Sequence, residues 1–160
     1  MGYERKIVET EENVFFFGHE FSNFWSCEFQ MKGIKFHSSE QAFMFCKAKL
    51  FGDEVIAEAI LQAKSPVACK KLGRKVKRFD GKIWDEKCEK FMDIILFHKF
   101  SENPELREML LNTGNKVIVE CAPFDNKWGI GISVDDAVNG KGWRGENKLG
   151  KSLMRVRGQL

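Results

Sequence analysis

Apolar positions along the chain follow a two-residue period near the start, and a helical period takes over through the middle. Val14-Phe15-Phe16-Phe17 is a short apolar run closed by Gly18, which predicts a buried strand. The polar residues 1–13 before it predict a loose tail or an edge strand. Phe21-Ser22-Asn23-Phe24 reads as a turn, where Asn23 tolerates unusual backbone angles. Phe29, Met31, Ile34 and Phe36 then mark the inward side of a hairpin joined at Lys32-Gly33. Asp53 caps a predicted helix with Val55, Ile56, Ala59, Ile60 and Ala63 inward. Ser65-Pro66 opens another, Ser as N-cap and Pro at the first helical position, running to Gly73. A basic loop over 74–81 leads to a long helix with Trp84, Cys88, Phe91, Ile95 and His98 at core spacing. Asn103-Pro104 begins the next, carrying Leu106, Met109 and Leu110 to a stop at Gly114. Residues 116–120 predict a strand, a glycine-rich loop region extends through Trp143, and a last helix runs from about Asn147 to Arg157. The order predicts an α+β fold, helix-dominated, with a small mostly antiparallel sheet. No repeat or linker divides it, so residues 1–160 read as a single domain.

Residues 37–49 are the most informative stretch. Ser38 is an N-cap candidate, and Gln41 three residues on completes a capping-box pattern toward the cap backbone. Glu40 falls in the first turn, where the helix dipole favours a carboxylate. At 3.6 residues per turn Glu40, Phe43, Met44, Lys47 and Phe51 share one face. Its acid and its amine stand two turns, roughly 10 Å, apart. Burying an unpaired ion is costly, so the two are an ion pair, groups at the floor of a cleft, or rim residues with their heads in water.

Composition narrows the class. The chain is 43% hydrophobic and 31% charged, a globular balance. Fifteen Phe and four Trp against one Tyr are enough aromatic surface to line a pocket as well as fill a core. A net charge of +3 is too small to imply nucleic-acid binding by itself. Five widely spaced cysteines without a CxxC pair fit reduced thiols in a cytoplasmic protein better than a disulfide frame or a zinc site. No signal-like or membrane-spanning run is present, so a soluble intracellular chain without a membrane partner is expected.

Three further segments carry polar chemistry. Glu120 ends a strand and leads into a loop with Asp125, Trp128 and Gly129, an arrangement that presents groups from a rigid support. Trp128 offers a flat face for a planar base, and Gly129 and Gly131 admit close backbone approach; a glycine-dependent turn plugged by Trp128 explains the same residues. Gly140–Gly150 is neither a Walker loop nor a dinucleotide fingerprint, though Asn147 can cap the last helix beside N–H groups able to hold a phosphate or hydroxyl. The stretch from Lys70 to Arg78 holds six basic residues in nine, a solvated face or an electrostatic lure for phosphate. His19, His37 and His98 form no metal pattern.

Taken together, Phe-Ser-Asn-Phe (21–24), Ser-Ser-Glu-Gln (38–41) leading to Lys47-Ala48, and Leu-Gly-Arg (72–74) begin a collinear set. Lys99-Phe100, Leu-Leu-x-Thr-Gly (110–114), Glu120 with Asp125 and Trp128-Gly129, and Asn-x-Leu-Gly (147–150) before Leu-Met-x-x-Arg complete it. This set resembles the YbiA-like (NADAR) family of N-glycosidases over about residues 14–157. The resemblance implies a YbiA-like fold and hydrolysis of a C1′–N bond between a ribosyl group and a base. Family substrates are phosphoribosylamino-pyrimidine intermediates of riboflavin synthesis and, in some branches, ADP-ribosyl groups on guanine, in a small molecule or in nucleic acid. Candidate catalytic residues are Glu40, Lys47, Glu120 and Asp125, with Glu40 paired with Glu120 or Asp125 and Lys47 a Schiff-base candidate. Candidate substrate-binding residues are Gly18, Ser22, Asn23, Phe24, Trp128, Gly129, Trp143, Asn147 and Gly150. No metal or cofactor is expected. The competing readings are a non-catalytic NAD or ADP-ribose binder using the same cleft and a nucleic-acid module centred on Lys70–Arg78.

Overall fold

The computed structural model describes residues 5–160, arranged as two compact units. One unit comprises the chain up to Ser22 together with Pro104–Leu160; the other is Asn23–Asn103.

In the first unit, β1 (Lys6–Glu9), β2 (Asn13–Phe17) and β5 (Val117–Glu120) form a three-stranded sheet with β2 central. β1 runs antiparallel to β2 and β5 parallel to it, with Phe15 opposite Val119 and Phe16 opposite Glu120. The expected edge strand is thus β1, and residues 1–4 of the expected tail lie outside the described residues. Val14, Phe15 and Phe16 are all buried because both faces of the central strand are covered. Phe15, Val119 and Cys121 pack with Ile130, Ile132, Val134 and Ala137 on one side. Val134 and Ala137 belong to α6 (Val134–Val138), a short helix capped by Ser133 inside what the sequence reads as loop. Five residues are too few to register a helical period. Alongside β5 lies α7 (Lys148–Arg157), and α5 (Pro104–Leu111) packs with it. The Arg157 guanidinium donates to Thr113 Oγ1 and to the Lys116 carbonyl, tying the end of α7 to the turn before β5.

The second unit is helical. Its hairpin, β3 (Phe29–Met31) and β4 (Ile34–Phe36), turns at Lys32 and Gly33, both with positive φ as a two-residue loop requires. Four helices follow: α1 (Ser39–Leu50), α2 (Glu54–Gln62), α3 (Pro66–Gly73) and α4 (Gly81–Ser101). α1 packs on the other three, and its face of Glu40, Phe43 and Met44 is buried. Phe43 lies 4.9 Å from the Trp84 ring of α4. Met44 occupies the space where a side chain on Gly73 would go, which brings α1 and α3 together.

Several expected core positions differ. Val55 is 80% exposed, Ile56, Ala59 and Ala63 are half-buried, and Ala57 with Ile60 carry the packed side of α2. On α4, Met92, Leu96 and Phe100 join Trp84, Cys88 and Ile95 in the core, while Phe91 and His98 are only half-buried. His98 meets Glu102 at 3.0 Å, a surface pair one helical turn apart. In both helices nearly every turn offers an apolar residue on more than one side, so periodicity alone cannot select the buried stripe.

Asp53 ties the start of α2 to the loop at Lys77. One carboxylate oxygen accepts from Ile56 N–H as the cap of α2, and the other accepts from Lys77 N–H at 2.8 Å. Those backbone donors, Lys77 first, keep its carboxyl below the usual range despite burial, helped by the charges of Lys77 and Arg78. A depressed carboxyl contributes stability above its unfolded value, about 4, and loses it as pH falls through the lower folded value. Urea unfolding followed from neutral to acidic pH should therefore show a steeper acid loss for the wild type than for Asp53→Asn. The variant should also be the less stable of the two near neutrality; parallel pH profiles would contradict the assignment.

Candidate active site

Within the second unit, the start of α1 gathers four of the anticipated residues or their neighbours. Ser38 Oγ accepts from Gln41 N–H, the expected cap. The reciprocal bond goes elsewhere than a capping box would send it: Gln41 Oε1 accepts from His37 N–H at 2.8 Å, one residue before the cap. The Gln41 amide also donates to the Ile60 carbonyl, fixing α1 against α2. Glu40 N–H donates to the Asn23 carbonyl at 3.0 Å, so the Asn23 backbone lies over the first turn of α1. The Asn23 Oδ1 and Ser39 Oγ atoms are buried there without a hydrogen-bond partner. Phe24 follows, with the Lys70 amine 5.5 Å from its ring centre.

Glu40 is 7% exposed, and Lys47, two turns along, is half-buried. Burial lowers the Lys47 amine below the ordinary lysine value; the Glu40 carboxylate opposes that shift and the Arg74 guanidinium adds to it. The same carboxylate helps burial push the Cys69 thiol up to about 11. Cys46 is raised to about 11 by burial and Cys121 to about 12, so neither is a thiolate nucleophile near neutral pH. The Lys47 amine sits 4.5 Å from the centre of the Phe79 ring. Arg74 and Phe79 carry no motif of their own; they stand in the basic run, whose Lys71, Arg74, Lys75, Lys77 and Arg78 are exposed to solvent.

The first unit presents the remaining candidates. Glu120 is half-buried at the end of β5. One Asp125 carboxylate oxygen accepts from Lys127 and Trp128 N–H, each at 2.9 Å, which folds the loop and sets the half-buried Trp128 indole. Gly129 has no positive φ; a side chain there would press on Ala122 and the Asp125 carbonyl. Gly131 does have a positive φ, and its missing side chain leaves room for Asn126. The glycines thus serve the loop's own packing. Gly18, with φ 60, ends β2. Ser22 N–H donates to the carbonyl of buried His19, closing the turn that follows. Trp143 is 46% exposed.

Asn147 departs from its expected capping role. It occupies the N-cap of α7 in the left-handed region, and its side chain makes no cap bond. Its amide instead continues the sheet edge: Oδ1 accepts from Glu120 N–H at 3.0 Å and Nδ2 donates to the Ile118 carbonyl at 2.9 Å. The expected free N–H groups are also taken, since Lys148 and Leu149 N–H donate to the Lys127 and Trp128 carbonyls. Gly150 lets α7 lie against the Ile118 carbonyl and the Asn147 amide. Asn147 therefore locks Glu120 backbone, the 125–129 loop and α7 into one frame. Among the described residues no group of His, Cys, Asp and Glu is placed to hold a metal, and no helix is long and apolar enough to cross a membrane.

Fold and residue set together define a NADAR domain. The profile of that domain matches residues 15–160, and the chain belongs to the family. It is 41% identical over 168 residues to N-glycosidase R617 of Acanthamoeba polyphaga mimivirus, covering 94% of this chain and 97% of that one. It is 34% identical over 141 residues to N-glycosidase YbiA of Escherichia coli, covering 88% and 81%. The NMR structure of E. coli YbiA superimposes with a TM-score of 0.77 at 29% identity, over 95% of this chain and 86% of that one. A 30% identity over 163 residues links 99% of the chain to 41% of a riboflavin biosynthesis protein of Vibrio vulnificus, VVA0006. The helix-dominated α+β fold expected from the sequence is the fold observed.

Replacing Asn147 by Ala removes the amide partner of Glu120 N–H and of the Ile118 carbonyl and puts alanine, which tolerates the left-handed region less well than asparagine, at φ 56. Urea unfolding should register a loss of about 2–4 kcal/mol; a change within experimental error would remove Asn147 from this role.

Proposed function

We propose that this chain, an N-glycosidase like the relatives that bear that name, hydrolyses the C1′–N bond between a phosphoribosyl or ADP-ribosyl group and a base. The observation that carries the reading is the buried Glu40 carboxylate acting on a half-buried Lys47 of lowered pKa. Breaking an N-glycosidic bond builds positive charge on the ribose and negative charge on the departing base. An acid protonates the base nitrogen as it leaves, and a carboxylate stabilises the ribosyl cation or activates water. Glu40 is the carboxylate we assign to one of these two roles. Lys47 adds as the neutral amine to C1′ as the base departs; cleavage of the C1′–O4′ bond then opens the ring to a Schiff base. Water releases the sugar from this imine and restores the amine.

In this reading Trp128 supplies a stacking face, and Gly18, Ser22, Asn23 and Phe24 are each candidates for a contact to the sugar or phosphate. The V. vulnificus relative, named for riboflavin biosynthesis, favours a small phosphoribosylamino-pyrimidine; ADP-ribosylated guanine, free or in nucleic acid, is the second substrate. Five cysteines outside any disulfide suit a reducing compartment, and we assign the enzyme to the cytoplasm.

Glu40→Gln should lower kcat by roughly 10²–10⁴ while the melting curve stays cooperative; retained turnover makes Glu40 structural. Borohydride added during turnover should trap a sugar adduct on Lys47, read by mass spectrometry. Its yield should rise with pH, with a midpoint below the ordinary lysine value because the neutral amine attacks. An absent mass shift means direct attack by water.

A further inference from the structure

The loop over 74–80 is fastened so that Phe79 turns back onto α1. Lys77 N–H is held by Asp53 Oδ2 at 2.8 Å. Arg78 adopts φ 60, an unfavourable conformation for a residue with a side chain, and its surroundings hold it there. Its guanidinium donates to the Phe51 carbonyl at 3.2 Å and to the Gly52 carbonyl at 2.7 Å. This left-handed residue reverses the chain, and the next ring, Phe79, meets Phe51 edge-on at 5.3 Å. Val76 is buried and anchors the other end of the loop. Nearly half of Phe79 is exposed, so core burial alone does not account for such a clamp. What the clamp delivers is a ring face to the Lys47 amine, 4.5 Å away.

We propose that Phe79 is a positioning residue for Lys47: its ring fixes where the amine stands, and the Asp53–Lys77 and Arg78 clamps fix the ring. The proposal rests on Lys47 being the amine that reacts with C1′. A free lysine side chain samples many rotamers, and most place Nζ away from any one carbon. The protonated amine is attracted by the ring quadrupole, and the neutral amine that reacts keeps the same face through a weaker N–H···π contact, which selects a small set of rotamers. Reaction requires an approach within about 3–3.5 Å along a defined line, so narrowing that set raises the rate of the bond-breaking step. Substrate binding uses other groups and is left nearly unchanged.

The test combines kinetics with a spectroscopic reporter that does not depend on activity. Phe79→Leu should lower kcat by roughly three- to tenfold with KM nearly unchanged, and Phe79→Tyr should restore kcat. After reductive ¹³C-methylation, the Lys47 methyl resonance, identified by its loss in Lys47→Arg, should lie upfield of the exposed lysines through the ring current. That displacement should vanish in Phe79→Leu and persist in Phe79→Tyr. An undisplaced resonance in the wild type, an unchanged kcat in Phe79→Leu, or an effect confined to KM each overturns the inference. Lys47→Met separates the two readings: full activity in that variant sinks the Schiff-base role itself. An inactive Lys47→Met beside a fully active Phe79→Leu sinks only the assignment to Phe79.

Discussion

Glu40 lies on the packed face of a helix, and a carboxylate in that position has to be compensated. The second unit is arranged around that need. The first turn of α1 gives the acid a favourable dipole, and Lys47 two turns along shares its charge. Arg74 from the end of α3 adds positive charge to the same neighbourhood, at the expense of the proton on Lys47. The balance leaves an amine more easily deprotonated than a surface lysine and a thiol, Cys69, held firmly protonated. An acid and an amine with those properties suit glycosidic bond cleavage, whereas a site designed only to grip a pyrophosphate gains little from a buried carboxylate.

The first unit solves a different problem, that of holding a loop rigid without regular structure. Asp125 folds the loop on itself, and the carbonyls of Lys127 and Trp128 are capped by the first N–H groups of α7. Asn147 then stands in for a strand residue beside Glu120. Each bond uses a donor or acceptor that would otherwise be unpaired at a helix end or a sheet edge. Rigidity of this kind is what presents Glu120 and Trp128 in fixed positions.

Much of this was legible in the chain. Ser38, Asp53 and Ser65 act as the caps their residue types and spacing predict, and each accepts from an N–H three residues on. The hairpin at Lys32-Gly33 and the strand at 116–120 follow local chemistry in the same way. Harder to read were the buried sides of α2 and α4, where apolar residues on several faces leave the choice to whichever neighbour packs first. The short helix at 134–138 and the back-bond from Gln41 to His37 depend on geometry that no spacing rule encodes.

The amino-acid order by itself determined the caps, the turns, the alternation of the strands and the family, because each rests on interactions spanning a few residues or on a collinear motif set. Tertiary structure decided what Asn147, Gly150, Asp53 and Phe79 do. Asn147 braces β5 from 27 residues away, and Asp53 meets Lys77 across 24. Such contacts come from the folded path of the chain, and an amide or carboxylate takes whichever unpaired backbone group that path brings within reach.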